Sequence, residues 1–213
     1  KEKISSLKNV KSTFFSGYDC DSLAFEKVSG FVRYFLPFFK KFPDADIELR
    51  TKSIQMDPLL SMKPMSNCIV AFSLMPTEIA KNLDRKAPPI EKRINTISKL
   101  ASRGWKIGLR FDPLIHGQNW KTIYIKLFDE IFKKIDNKKI HSITLGPLRF
   151  PKAMFKKIIN INPESKLLSG ALSLRGNKIS YSRDIELEMQ SFCLEMLKKY
   201  APESLFFSCK GNF

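Results

Sequence analysis

The residues able to do chemistry cluster where short apolar runs give way to loops. Ser12–Ser16 runs into Gly17-Tyr18-Asp19-Cys20-Asp21-Ser22, Leu49-Arg50 into Thr51-Lys52-Ser53, and Val70-Ala71-Phe72 into Ser73. Farther on, Leu109-Arg110-Phe111 leads to Asp112-Pro113 with His116 close behind, and Thr144-Leu145 leads to Gly146-Pro147-Leu148-Arg149. If these runs are parallel strands, their carboxyl ends meet at one mouth. There Asp21, Lys52, Ser73, Asp112 and Arg149 offer cations for a carboxylate or phosphate, and hydroxyl or carboxylate partners for an amine or ribose. An ammonium and a hydroxyl at neighbouring strand ends can hold the two ends of an amino-acid group. Polar residues end many strands without a function, so the weight lies on the convergence.

The elements that must position these residues are legible as alternating patterns. Ser12–Ser16 reads as a strand, followed by a helix over Leu23–Phe39 with Phe25, Val28, Phe31, Val32, Phe35 and Leu36 on one face. Ile47–Thr51 is a strand, Pro58–Met62 a short helix, and Cys68–Phe72 the continuous apolar run of a buried parallel strand. Thr77 caps a brief helix, and Pro88-Pro89 opens one carrying Ile90, Ile94, Ile97 and Leu100 that stops at Gly104. Strand Trp105–Phe111, helix Trp120–Ile135, strand Lys139–Leu145 and helix Pro151–Ile161 follow, then a less regular stretch. Ser182 caps a last helix whose inward face is Ile185, Met189, Phe192, Met196 and Tyr200, and Leu205–Phe207 closes as a strand. This alternation predicts one α/β domain over residues 1–213, with parallel βα units in a barrel or an open sheet.

Composition narrows the choice of chemistry. The chain of 213 residues is 43% hydrophobic and carries 37 Lys+Arg against 21 Asp+Glu, a formal net charge of +16. No apolar run reaches the roughly 18 residues of a membrane span. No leader follows Lys1-Glu2-Lys3, and the scattered Cys20, Cys68, Cys193 and Cys209 form no CxxC pair, which points to free thiols in a reducing, cytoplasmic compartment. Basic excess favours a nucleic-acid partner, but the cations are 28 Lys and only 9 Arg, and Arg makes the better bidentate phosphate contacts. The sharpest local excess is Lys152, Lys156, Lys157, Lys166, Arg175 and Lys178, set against Glu164 alone. That stretch beside Arg149 is a phosphate-backbone surface or a solvated helix face. HExxH, GxSxG, Walker and GxGxxG motifs are all lacking, so metalloprotease, hydrolase, NTPase and dinucleotide readings have no support. His116 reads as a loop histidine near the mouth, and His141 as a structural one on a strand.

Several of these stretches together resemble one family. Gly17-Tyr18-Asp19-Cys20-Asp21-Ser22-Leu23-Ala24, Glu48-Leu49-Arg50-Thr51-Lys52-Ser53 and Val70-Ala71-Phe72-Ser73-Leu74 come in order without forced gaps. Gly108-Leu109-Arg110-Phe111-Asp112-Pro113, Thr144-Leu145-Gly146-Pro147-Leu148-Arg149-Phe150-Pro151 and Tyr200-Ala201-Pro202 continue the series. From Ser12 to about Pro202 the chain resembles the spore photoproduct lyase-like branch of the radical S-adenosylmethionine enzymes. The resemblance implies a partial TIM-like (βα) barrel, with S-adenosylmethionine and a 4Fe-4S cluster as cofactors. It also implies a 5′-deoxyadenosyl radical that acts on a nucleic-acid substrate such as a damaged pyrimidine.

By resemblance, Lys52 holds the carboxylate of S-adenosylmethionine, Ser73 adds a hydroxyl, and Asp21 and Ser22 lie on the loop beside it; Asp112, at the mouth, is expected to join the cofactor site and to face the substrate. Arg149, Lys152 and Lys156 face the substrate. Such enzymes hold their cluster with three thiolates in a CxxxCxxC loop, a spacing this sequence lacks, so the ligands and the first strand are expected upstream of Lys1 or on a partner chain. Tyr18 stands where the true lyase has a hydrogen-donating cysteine, and Cys20 lies two residues on, so either is the expected radical-handling residue. The alternative from another class is a cluster-less, non-catalytic basic barrel that binds nucleic acid or protein in an assembly. Neither the substrate nor the oligomeric state is legible.

Overall fold

The computed structural model describes residues 10–17 and 20–208. Period-two alternation decides its main sheet. Strands β1 (Ser12–Ser16), β2 (Ala45–Thr51), β3 (Cys68–Ser73), β4 (Lys106–Leu114), β5 (Ile140–Pro147) and β9 (Phe206–Ser208) run parallel in the order β1-β2-β3-β4-β5-β9. One face is apolar, with Ile47 and Leu49 on β2, Val70 and Phe72 on β3, and Ile107, Leu109 and Phe111 on β4, all in the core. Helices α2 (Phe31–Phe39), α5 (Ile90–Ser102), α6 (Trp120–Lys134) and α8 (Arg183–Lys198) cover that face. They contribute Val32 and Leu36, Ile94 and Ile97, Tyr124 and Phe128, and Met189 and Cys193 to the same core. The sheet curls into a half-barrel, and its opposite, concave face carries the polar Glu48, Arg50, Arg110 and Ser142 beside the apolar Ile69 and Ala71 of β3.

Short elements fix the entries to these strands. Helix α3 (Asp57–Ser61) starts with a proline in its first turn, and its Leu59 carbonyl accepts a 3.0 Å hydrogen bond from the buried Trp105 indole. The Asn67 amide donates to the carbonyls of Phe39, Phe42 and Ala45, each at 3.0 Å, and so ties α2 to the start of β2. Helix α4 (Thr77–Leu83) takes Pro76 rather than Thr77 at its N-cap.

Two expectations change. The single helix over Leu23–Phe39 is broken into α1 (Glu26–Ser29) and α2, because Gly30 adopts φ +59°, a left-handed conformation that L side chains resist. The buried Glu26 carboxylate accepts from Val32 N at 3.0 Å and fixes the new helix start. The break turns Phe25 (75% exposed) and Val28 (88% exposed) outward instead of into the core. The stretch after Ile161 is also more regular than expected. β6 (Arg149–Pro151), β7 (Leu172–Arg175) and β8 (Lys178–Tyr181) form an antiparallel sheet, with α7 (Lys152–Ile161) between β6 and β7. Gly176-Asn177 turns the β7–β8 hairpin, with Gly176 at φ +60°. Among the described residues no helix is long and apolar enough to cross a membrane.

Candidate active site

The concave face is built around one ionic cluster. Glu48 on β2 accepts hydrogen bonds from Arg110 on β4 at 2.6 and 3.1 Å, and from Arg50 at 3.0 and 3.2 Å. The side chains of Glu48 and Arg110 are only 4% and 5% exposed. The Arg110 guanidinium folds back over Gly108, where a Cβ would lie 2.7 Å from its Nη2, and it also donates to Ser142 Oγ at 2.9 Å. Small residues at Gly108 and Ala71 therefore let Arg110 reach across β3.

Above this cluster, at the mouth, Asp112 lies 4.0 Å from Arg149 Nη2. Gly146 leaves the room for that carboxyl, since a Cβ there would sit 2.7 Å from Asp112 Oδ1. Burial raises the Asp112 pKa above the ordinary 3.8, and the positive charges of Arg149 and Arg50 only partly offset this. The folded protein thus holds its proton more tightly than the unfolded chain, and the ionised form weakens stability as pH rises past 3.8. Asp112→Asn is expected to leave the urea midpoint at pH 7 unchanged or higher; a clear fall would contradict this placement.

Farther along the rim, Asp21 is a loop organiser. Its Oδ1 accepts from Leu23 N and Ala24 N, both at 2.9 Å, and from Thr51 Oγ1 at 2.7 Å. Its Oδ2 accepts from Lys52 N at 2.6 Å, so the carboxylate clamps the β1 loop to the end of β2. Ser22 is buried and donates to the Ser16 carbonyl at 2.9 Å. The Lys52 backbone is thereby fixed, and its ammonium reaches Asp84 Oδ1 at 2.6 Å. Thr51 pairs with Phe72, so Lys52 and Ser73 leave neighbouring strands side by side. Ser73 Oγ has no hydrogen-bond partner among the described residues.

Lys52 and Asp21 open on a cleft of about 1920 Å³, which His116, Asn119, Glu164 and Lys166 also line. His116 N donates to Tyr181 Oη at 3.0 Å, and its ring packs near Trp120 and Tyr181. His141 stacks on Phe207 and is held below its ordinary pKa by burial first and by the nearby Lys106 charge. Its Nδ1 and Thr144 Oγ1 are buried without a partner among the described residues.

Arg149 and the α7 lysines Lys152, Lys156 and Lys157 are exposed, as is Lys166. Arg175 instead pairs with Glu186 and leaves the basic surface. Tyr18 lies outside the described residues, and the Cys20 thiol is exposed. Cys68 and Cys193 are buried thiols with pKa values pushed up to about 12 by burial, as fits core packing. Among the described residues no group of three His, Cys, Asp or Glu could hold a metal, so these residues do not fit a 4Fe-4S cluster. They do fit S-adenosylmethionine. Lys52 lines the cleft and would take its carboxylate, the cleft is large enough for the nucleoside, and Ser73, at the neighbouring strand end, is not itself among the cleft-lining residues.

Sequence reasoning named the mouth but missed Glu48, Arg50, Arg110, Asp84 and Arg93. The signal for the first three was present, since Glu48 and Arg50 on β2 and Arg110 on β4 fall on one face of the sheet, with β3 between them.

Known proteins share this fold. A family model described as spore photoproduct lyase matches residues 3–204. The spore photoproduct lyase of Clostridium acetobutylicum is 24% identical over 147 residues, covering 69% of this chain and 44% of that protein. That of Bacillus subtilis is 29% identical over 120 residues, covering 55% of this chain and 35% of that protein. The chain thus spans less than half the length of these curated relatives. In fold it is similar to a spore photoproduct lyase mutant with a TM-score of 0.85 at 16% identity, covering 97% of this chain and 63% of that one. It is also similar to a double mutant with bound AdoMet and dinucleoside spore photoproduct, with a TM-score of 0.78 at 16% identity, covering 92% and 60% of the two chains. A family model matched over nearly its whole length settles the assignment: this chain belongs to the spore photoproduct lyase family.

Proposed function

We propose that this chain carries the S-adenosylmethionine-binding and DNA-facing part of a radical lyase that repairs a damaged pyrimidine. One observation supports it above the rest: Lys52 and Ser73 stand side by side at the ends of neighbouring parallel strands, and Lys52 lines a cleft with ample room for a nucleoside. The Lys52 ammonium takes the cofactor carboxylate, and the Ser73 hydroxyl takes its amine. Asp21 holds the Lys52 backbone by its 2.6 Å bond, and Ser22 pins the same loop to β1. When bound, S-adenosylmethionine would supply a 5′-deoxyadenosyl radical for hydrogen abstraction, given one electron from a 4Fe-4S cluster that the described residues do not themselves hold.

Asp112, whose pKa burial raises and which is flanked by Arg149, lines the mouth toward cofactor and base. Arg149, Lys152 and Lys156 hold the DNA backbone, because exposed cations neutralise phosphates and release counterions. The exposed Cys20 thiol, or the Tyr18 phenol, would give a hydrogen atom to the product radical, its S–H or O–H bond breaking as the product C–H bond forms and the unpaired electron passing to the donor as a thiyl or phenoxyl radical. The bound dinucleoside spore photoproduct of a structural neighbour supports a lesion of this kind.

The test uses the whole protein that bears this chain. Anaerobic treatment with iron and sulfide, then reduction with S-adenosylmethionine, is expected to release 5′-deoxyadenosine. Protein that takes up a cluster and releases none overturns the reading.

A further inference from the structure

Lys52 belongs to a buried chain of charges that reaches Ser73 from behind. Asp84 follows α4, and its carboxylate bridges two cations, accepting from Lys52 Nζ at 2.6 Å on Oδ1 and from Arg93 Nη2 at 2.8 Å on Oδ2. The Arg93 side chain is 1% exposed and that of Asp84 6%. The other nitrogens of Arg93 are used too, Nη1 donating to the Ser73 carbonyl at 3.0 Å and Nε to the Pro88 carbonyl at 2.8 Å. Asp84 is itself rigid, since its N–H donates to the Ala80 carbonyl at 2.8 Å and its carbonyl accepts from Ala87 N at 2.9 Å.

The charge arithmetic gives this arrangement a consequence. A lone Asp84–Lys52 pair would be neutral and would offer an anionic ligand little. With Arg93 included, two cations share one carboxylate, and one positive charge remains. Arg93 is sealed in the core and held by two carbonyls, so that charge is presented to the cleft through Lys52, whose side chain is 38% exposed. The flexible lysine is also held in one rotamer before a ligand arrives, which lowers the entropic cost of binding. The same guanidinium engages the Ser73 carbonyl, setting the strand end while its hydroxyl stays available.

We infer that Asp84 is the positioning residue of the carboxylate site, aiming Lys52 into the cleft and tying it through Arg93 to Ser73. This rests on the S-adenosylmethionine reading of the cleft. Asp84 touches no ligand itself; it acts through Lys52.

The test is a calorimetric cycle on wild type, Asp84→Asn, Lys52→Ala and the double variant, titrated with two probes. One is S-adenosylmethionine. The other is 5′-methylthioadenosine, which keeps the nucleoside and the sulfur but lacks the amino-acid group. Asp84→Asn is expected to weaken S-adenosylmethionine about fivefold or more, to leave 5′-methylthioadenosine unchanged, and to add nothing once Lys52 is Ala. Asp84→Glu, which keeps the charge, should restore most of the affinity. If leaving Arg93 unpaired unfolds Asp84→Asn, then Asp84→Asn/Arg93→Met removes both charges and is read by the same ratio of probes. An unchanged S-adenosylmethionine affinity, an equal loss for both probes, or a full loss persisting without Lys52 would each overturn the assignment while wild type still binds. Wild-type protein that binds neither probe overturns the cofactor reading, and this assignment with it.

Discussion

Glu48→Gln is expected to lower the unfolding free energy by about 3–5 kcal/mol, because it leaves Arg110 as a buried cation without its counter-charge. The residue is the hinge of the concave face, with four hydrogen bonds from Arg110 and Arg50 ending on its carboxylate at 2.6–3.2 Å. Domains are stable by only about 5–15 kcal/mol, so this loss is a large fraction of the whole. Taking ions out of water costs nearly as much as pairing them returns, and a converse follows. Glu48→Met with Arg110→Met should be far milder than Glu48→Gln alone. Urea unfolding of both proteins checks the pair. A loss below about 1 kcal/mol in the single variant would show that the cluster is solvated rather than buried.

The same residue sets an acid limit. Burial alone would raise the Glu48 pKa, but hydrogen bonds and charge from Arg110, then Arg50, hold it below the ordinary 4.5. A carboxyl depressed on folding stabilises fully above its unfolded value and loses that contribution as pH falls through its folded one. Wild type should therefore lose stability faster than Glu48→Gln as pH drops below 4.5, and the gap between them should close.

The second large effect concerns nucleic acid. Arg149, Lys152, Lys156, Lys157 and Lys166 are exposed along β6, α7 and the turn after it. If these five cations each neutralise one phosphate, log affinity falls against log salt with a slope of about −4.5, or ~500-fold between 50 and 200 mM salt. Lys152→Ala/Lys156→Ala should flatten that slope by about 1.8. Fluorescence anisotropy on a short DNA duplex reads both. A slope near zero would return these lysines to a merely solvated helix face. The overall +16 charge carries less of the argument than this local surface, since Arg175 is taken up by Glu186.

Much of this was legible from residue patterns alone. Cys68–Ser73 reads as a buried parallel strand because it is apolar on both faces, and Pro88-Pro89 with Gly104 brackets α5 by backbone chemistry. Lys52 and Ser73 stood out because each marks the carboxyl end of a strand. The ionic floor was hidden for a physical reason. Alternation in Ile47-Glu48-Leu49-Arg50 looks like a strand with one wet face, whereas a curled sheet buries its polar face as well. Arg93 was hidden likewise, since it stands beside Lys92 on an amphipathic helix and reads as one more surface cation. Phe25 and Val28 misled because helical spacing ignores the break that Gly30 imposes.

The central claim is that the ends of β2 and β3 form a carboxylate-and-amine grip for S-adenosylmethionine, and direct titration tests it most simply. Calorimetry should give one saturable site that Lys52→Ala weakens at least tenfold, or about 1.4 kcal/mol. The loss should appear without a change in the unfolding midpoint, since the Lys52 side chain is 38% exposed. No saturable binding to the folded protein, or the same affinity with and without the Lys52 ammonium, would contradict the account.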